Sequence, residues 1–578
     1  MKLGFIICAV LSLISCRERT TPPPNVLFIL TDDQGWGDMS SHGNKVLETP
    51  VLDRLALDGA EFDRFFVSPL CAPTRASLLT GRYHLKTGTS SVSKGLETMD
   101  TEEETIAEVF KENGYATGIF GKWHNGSHYP NRPTDQGFDE FIGFCAGHWT
   151  NYFDTKLDSG HVEIETKGFI TDYLTDKAID FIDRKKNVPF LCYIPFNAPH
   201  GPFQVPDKYF DKYKAKGLDD KLASIYGMVE NVDDNIARLL AKLDKEELAE
   251  NTIVVFMTDN GPNSVRYNGA MKGVKGHVDE GGVRVPSIIK WQGRITAGKK
   301  IKQMGAHIDW LPTLTELCGI NYNPAKKIDG ISLASNILNE EQETAERTIF
   351  THVAFLEREL KERPGSFRTS QYRFVAKGEK AELYDMISDP RQEKDIAEEQ
   401  TKMVTDFTNQ YQAWFSDASQ NYQSIKPISL NTDFVELPAF EAQFKGNLRF
   451  VEGHGWSHDY LVDWSSKEDE ITWLIESDSD KEMVASIRYT CPEDEIGSTI
   501  AVSLLKNRVE NSITNAFDPP LLIHPNRFIR RENREKNWAT MEIGTLKLSK
   551  GRNTIRLSTI NVAHSQVADF KSLILEDI

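Results

Sequence analysis

The chain has 578 residues, 39% of them hydrophobic and 26% charged, which leaves room for two or more domains and fits a soluble globular protein. A formal net charge of −18 argues against a nucleic-acid binder, which would carry a basic face. Any anionic substrate must be met by a local group of cations, or by a metal ion, that overcomes this global field.

In chain order, Lys2 precedes an apolar run from Leu3 to Ile14 that is too short to span a membrane and reads as a targeting segment. Its end, Leu13-Ile14-Ser15-Cys16, resembles a bacterial lipobox. That resemblance implies a signal peptide over 1–15, cleavage before Cys16, lipidation of its thiol, and a tether over 16–24. Ordinary secretion with cleavage nearby is the alternative. Residues 25–330 then alternate short apolar strands with helical stretches, the pattern of a mostly parallel α/β sheet. Val26–Thr31 runs into Asp32 and Asp33. Thr117–Phe120 runs into Lys122 and His124, Phe190–Phe196 towards His200, and Ile253–Thr258 into Asp259 and Asn260. In a parallel sheet these ends share one rim, where ligands bind. Helices are expected over Glu104–Asn113, Asp219–Leu243 and Ile308–Cys318, with Gly319 as a stop, and Pro286–Trp291 reads as a buried strand.

Grouped carboxylates with an amide oxygen suit a hard cation, so Asp32, Asp33, Asp259 and Asn260 are candidate ligands for calcium or magnesium. Either acidic pair alone would also suit a turn or a helix cap. Cys71-Ala72-Pro73-Thr74-Arg75 reads as the start of a helix that Gly81 ends. Cys71 then sits at the positive helix end, with Arg75 in the first turn. Seven cysteines show no disulfide-framework or zinc spacing, and Cys192 reads as a buried core thiol.

Residues 331–425 carry short strand candidates at Thr348–Val353, Tyr372–Ala376 and Glu382–Asp385, then an amphipathic helix over Lys402–Trp414. Residues 430–578 read as an all-β sandwich, with strands at Ile471–Ile475, Val484–Cys491, Thr499–Leu505, Gly544–Leu548 and Asn553–Thr559. This last segment resembles the carbohydrate-binding β-sandwich modules appended to secreted glycan-active enzymes. Trp456, Trp464, Trp473 and Trp538 are candidates for a sugar-stacking surface, or for core packing, the reading favoured for Trp473.

Cys71, Pro73 and Arg75 match the Cys-x-Pro-x-Arg signature, and together with the strand-end residues they resemble the sulfatase family of the alkaline phosphatase superfamily from Asn25 to about residue 400. The resemblance implies an alkaline-phosphatase-like α/β sheet with a small antiparallel subdomain. It also implies that a separate maturing enzyme oxidises Cys71 to formylglycine (3-oxoalanine), whose hydrate is the nucleophile. Asp32, Asp33, Asp259 and Asn260 match the family's calcium ligands, with an oxygen of the converted Cys71 completing the shell. Lys122, in Gly-Lys-Trp-His, and Lys275 match sulfate-binding lysines, and His200 a sulfate-contacting histidine. His124 would take the proton of the second diol hydroxyl. Either His200 or Lys275 would protonate the leaving alcohol. Arg75, Lys122 and Lys275 would offset charge on the sulfate oxygens. Glu280 and Arg284 would organise their loop. His42, His148, Trp149 and Arg266 are candidates for reading the sugar, with surface packing as the alternative for each.

The expected activity is removal of sulfate from a sulfated polysaccharide or its oligosaccharides. Algal ulvan, carrageenan or fucoidan and animal glycosaminoglycans are the candidate glycans. The protein is expected to be an exported lipoprotein of the periplasm or cell surface, held to the outer membrane by its lipid alone. A phosphonate monoester or phosphodiester hydrolase of the same superfamily, and a non-catalytic glycan-binding lipoprotein, are the alternatives.

Overall fold

The computed structural model describes residues 22–339, 344–528, 530 and 534–578. The expected signal peptide, Cys16 and most of the tether lie outside these residues. Among the described residues no helix is long and apolar enough to cross a membrane.

A ten-stranded sheet organises the first half of the chain. Its central strands are Thr252–Thr258, Asn25–Thr31, Phe190–Pro195, Ala116–Lys122 and Glu140–Phe144, all parallel and in that spatial order. Leu27 lies opposite Cys192 on one side and Val254 on the other. Both faces of Asn25–Thr31 are buried, because side chains pack on either side of the sheet into two separate apolar clusters. Such a strand reads as an unbroken apolar run rather than an alternating one, which is why it was recognisable. Ser287–Lys290 joins antiparallel to Thr252–Thr258, and the hairpin Lys156–Ser159 and Val162–Glu165 extends the opposite edge. Helices Pro50–Asp58, Ile170–Lys185 and Asp207–Ala215 also form in this half. So does Asp220–Lys245, which begins where the Asp219 side chain accepts the Leu222 N–H.

Two expected helices are shorter than their periodicity suggested. Thr105 forms a capping box with Glu108, so the helix starts at Ile106 rather than Glu104 and ends at Glu112. A 3-10 turn over His307–Asp309 precedes the helix Trp310–Leu317. The strand ending in Lys122 is longer than expected. Gly121 permits this, since a Cβ there would lie 2.1 Å from the Pro195 carbonyl oxygen.

A four-stranded antiparallel sheet follows, in the order Ile349–His352, Gly365–Arg368, Tyr372–Lys377, Lys380–Asp385, and the helix Thr401–Ala418 packs on it. Gly365–Arg368 carried no strand signal, yet it lies buried in the interior of this sheet. The final segment forms two six-stranded sheets that share one apolar cluster. Trp464 and Trp473 belong to that cluster and are buried. The sugar-stacking reading therefore fails for these two: each indole is consumed by the core, donating its N–H to Thr559 and to the Pro438 carbonyl. Cys71, Cys145, Cys192, Cys318 and Cys491 are free and buried.

Candidate active site

The expected rim exists, and a cavity of about 300 Å³ opens on it, lined by Asp33, Cys71, His124, His200, Asn263 and Lys275 among others. Cys71 is the first residue of the helix Cys71–Thr80, whose residues are all buried and which ends on Gly81 in the left-handed conformation, φ 68°. Leu70, before it, is extended and contributes no side-chain cap, so the helix's amino end meets the cavity uncapped and favours an anion there. Burial pushes the Cys71 thiol up, against the opposing pull of Lys122 and Lys275. The unmodified thiol is thus poorly ionised.

Asp32 and Asp33 follow the central strand, and Asp33 takes a left-handed φ of 68°. Its backbone N–H donates to Asp259 Oδ1 at 3.2 Å. Its carboxylate accepts from Asn260 Nδ2 at 2.8 Å and Asn263 Nδ2 at 3.1 Å, and lies 2.5 Å from Lys275 Nζ. Burial works against ionisation of Asp33, yet Lys275 and then His200 hold its carboxyl well below the usual range. Asp32 is also held low, against the penalty of burial, chiefly by Lys122 at 2.6 Å. Asp259 goes the other way: burial first, then Asp32 beside it, push it up to about 7.

These residues fit a divalent cation. Carboxylate oxygens of Asp32 and Asp259 and the Cys71 Sγ lie within 4.8 Å of one another, as do single ligand atoms of Asp32, Asp33 and His200. Asp32 Oδ1 and Asn260 Oδ1 are buried without a hydrogen-bond partner. A buried oxygen left unpaired is costly, and a hard cation satisfies such atoms while relieving the repulsion between the carboxylates.

Arg75 is fully buried. Its Nε and NH2 groups donate to Asp259 Oδ2 at 3.2 and 2.8 Å, and NH1 donates to the Lys122 carbonyl at 2.7 Å. Its donors are turned towards protein acceptors, so it braces the acids rather than facing the cavity. Lys122 is likewise fully buried against Asp32. Lys275, Lys221 and His200 line the cavity with Cys71. His200 Nδ1–H donates to the Gly201 carbonyl at 3.0 Å, and Nε2 lies 3.6 Å from Asp33 Oδ2. His124, at φ 65°, donates Nε2–H to the Val92 carbonyl at 2.9 Å, which leaves a buried, unpartnered Nδ1. Burial and then Lys122 hold its pKa well below the ordinary histidine value, so Nδ1 keeps its lone pair.

The four sugar-reading candidates separate. His148 lines the cavity, its ring 6.0 Å from that of His200. Trp149 instead stacks on Phe144 and donates to Thr155. His42 pairs with Glu61 and stacks on Trp36, while Arg266 is buried in a bidentate contact with Asp38. Each of these three is occupied by local packing. Glu280 and Arg284, expected to organise a loop, instead lie in a short helix and the strand after it, and Glu280 meets Arg284 at 3.7 Å and Arg373 of the four-stranded sheet at 2.7 Å. The sequence reading missed Asn263, Phe203, Lys221 and Phe355 as lining residues; none sits in a motif, and only the fold brings them to the rim.

Residues 24–320 match the sulfatase family, and residues 274–416 match the C-terminal family of N-sulphoglucosamine sulphohydrolase. The N-acetylgalactosamine-6-sulfatase of Canis lupus familiaris is 31% identical over 378 residues, covering 58% of this chain and 70% of that protein. The uncharacterized sulfatase YdeN of Escherichia coli (strain K12) is 29% identical over 382 residues, covering 56% and 67%. The crystal structure of Ps i-CgsB in complex with k-i-k-neocarrahexaose superposes with a TM-score of 0.63 at 28% identity, covering 70% of this chain and 95% of that one.

Proposed function

This chain belongs to the sulfatase family and is a sulfuric ester hydrolase, and on that premise we propose that it removes sulfate from a sulfated polysaccharide or its oligosaccharides, using a formylglycine at position 71 and one divalent cation. The observation that carries this is the convergence on one cavity of Cys71 at an uncapped helix start with Asp33, Lys275 and His200, and beside them the buried, unpaired oxygens of Asp32 and Asn260. Asp32, Asp33, Asp259 and Asn260 would hold the cation, calcium in the first instance or magnesium. The hydrated formylglycine supplies an oxygen nucleophile and, through its second hydroxyl, a way to release sulfate, while the cation supplies Lewis-acid stabilisation.

The chain's own residues do the rest. Lys275 and His200 face the cavity and bind the sulfate oxygens. Arg75 fixes Asp259, and Lys122 neutralises Asp32. His200, tied through Nδ1 to Gly201, presents Nε2 to the leaving oxygen; Lys275 is the other donor within the cavity. His124 Nδ1 accepts the proton whose loss frees the sulfate.

A sulfated galactan of the carrageenan kind is the first substrate to test, given the carbohydrate in the complex of the similar structure; ulvan, fucoidan and glycosaminoglycan fragments follow. We place the protein at the bacterial outer membrane, lipidated at Cys16 and matured by a formylglycine-generating enzyme. The test is a panel of defined sulfated oligosaccharides, with phosphate mono- and diesters alongside, offered to protein produced together with such an enzyme. Sulfate release from one glycan class is the expected result. Turnover of phosphate esters alone would overturn the reading, as would full activity in Cys71→Ala.

A further inference from the structure

We infer that the C-terminal β region is part of the substrate pocket, and that its Trp456, together with Phe355, forms the wall on which the sugar ring of the sulfate ester stacks. The inference rests on the function proposed above. Both aromatic residues line the same cavity as Cys71, His200 and Lys275. Their rings meet edge to face at 5.6 Å and an 81° interplanar angle, and Trp456 also lies 6.3 Å from His148. Phe355 is 52% exposed, a large apolar side chain left open beside a half-buried indole. An open aromatic corner next to a polar floor is the composition of a small-molecule site, in which apolar walls take the body of the ligand and a few polar groups fix its orientation.

The corner is built rather than incidental. The loop that carries Trp456 is held from both sides. Asp459 accepts the N–H groups of Gly455 and Tyr460 within the loop, and its own N–H donates to the Trp456 carbonyl. From the catalytic part, Ser93 Oγ donates to the Gly455 carbonyl at 2.8 Å, and His148 Nε2–H donates to the Ser457 carbonyl at 2.8 Å. A second C-terminal loop braces another lining residue: Phe528 packs 6.0 Å from Phe203, and Gln204 donates to Asn526 at 2.9 Å. The family matches end at residue 416, so both loops come from a portion of the chain outside them. Trp456 therefore reaches the pocket from a portion of the chain outside the family matches, while Phe355 and the sulfate-binding floor lie within them.

Inorganic sulfate separates the two parts, because it fills the floor without touching the wall. Trp456→Ala, with Trp456→Phe as rescue, is tested by equilibrium binding of inorganic sulfate, galactose 6-sulfate and a sulfated carrageenan tetrasaccharide to the full chain loaded with calcium. Trp456→Ala should leave sulfate affinity within about twofold and weaken the best-bound saccharide roughly ten- to fiftyfold, as for a truncated aromatic anchor, with Trp456→Phe recovering much of the loss. Saccharide affinity unchanged in Trp456→Ala would overturn this inference and leave the proposed function standing, and so would equal losses for saccharide and sulfate, the mark of a merely structural residue. Failure of wild-type protein to bind either inorganic sulfate or any saccharide would overturn both.

Discussion

Arg75→Ala isolates what the buried guanidinium does. Three of its N–H groups are committed within the protein, two to Asp259 and one to the Lys122 carbonyl, and the side chain is fully buried. Removing one partner of a buried ion pair costs about 3–5 kcal/mol, because the remaining charge is left uncompensated. At about 1.4 kcal/mol per tenfold, the helix Cys71–Thr80 should open some hundredfold or more often in the cation-free protein. Amide hydrogen exchange over that helix reads this directly. Calcium should restore part of the loss by taking over the Asp259 charge. Arg75→Lys, with one cationic head for two acceptors, should fall between. In a double-mutant cycle with Asp259→Asn the coupling should exceed about 1 kcal/mol. Unchanged exchange in Arg75→Ala, or strict additivity with Asp259→Asn, would refute the idea that Arg75 works by positioning Asp259.

Other expectations are as direct. Lys275→Ala should lower kcat/KM on the sulfated substrate by roughly 10²–10³, the scale of a lost oxyanion donor, with Lys275→Arg partly active. His124→Ala should release about one alcohol per enzyme and then stall, seen as a burst without steady-state turnover. Glu97 is buried, and burial first, then Glu441, raise its carboxyl to about 7. A raised folded-state pKa favours the folded state below about pH 4.5 and loses that contribution as pH climbs through 7. Glu97→Gln should therefore match wild type near pH 4 and exceed it by up to about 3 kcal/mol near pH 8, measured by chemical denaturation at both pH values. Chelation should abolish turnover and weaken inorganic sulfate binding at least tenfold, both restored by calcium and measurable by calorimetry.

Legibility in the sequence followed physical context. Strands buried on both faces announce themselves as apolar runs, and the polar residues just past them were readable as a rim; Asp32, Asp33, Asp259 and Asn260 are where that logic put them. Cys71 was readable because a helix start with Pro73 inside and Gly81 beyond is a local signal. Edge strands such as Val162–Glu165, exposed and charged, have no such run. Gly365–Arg368 owes its strand to neighbours on both sides and to Glu280, which approaches Arg368 and Arg373. Local sequence holds neither. The orientation of Arg75 and Lys122 was equally hidden, because which acid a buried cation faces is decided by tertiary packing. Trp456 stood in one group with Trp464 and Trp473 by residue type, and only the fold separated the cavity wall from the core.

The arrangement of charge at the site explains why cation and anion should depend on one another. Asp32 is paired with Lys122 at 2.6 Å, Asp259 with Arg75 at 2.8 Å, and Asp33 with Lys275 at 2.5 Å, so each acid has its own base. A sulfate ester entering this balanced group must compete with Asp33 for Lys275, in a chain whose overall charge of −18 opposes it. At physiological ionic strength that distant charge is largely screened beyond about 8 Å, and the buried pairs are not. A divalent cation, if held by Asp32, Asp33 and Asp259, would compete with Lys275 for Asp33, and the lysine ammonium, with His200, would then be open to an anion. Linkage would then require the reverse: sulfate engaging Lys275 would leave Asp33 to the cation and tighten the cation's binding by the same factor.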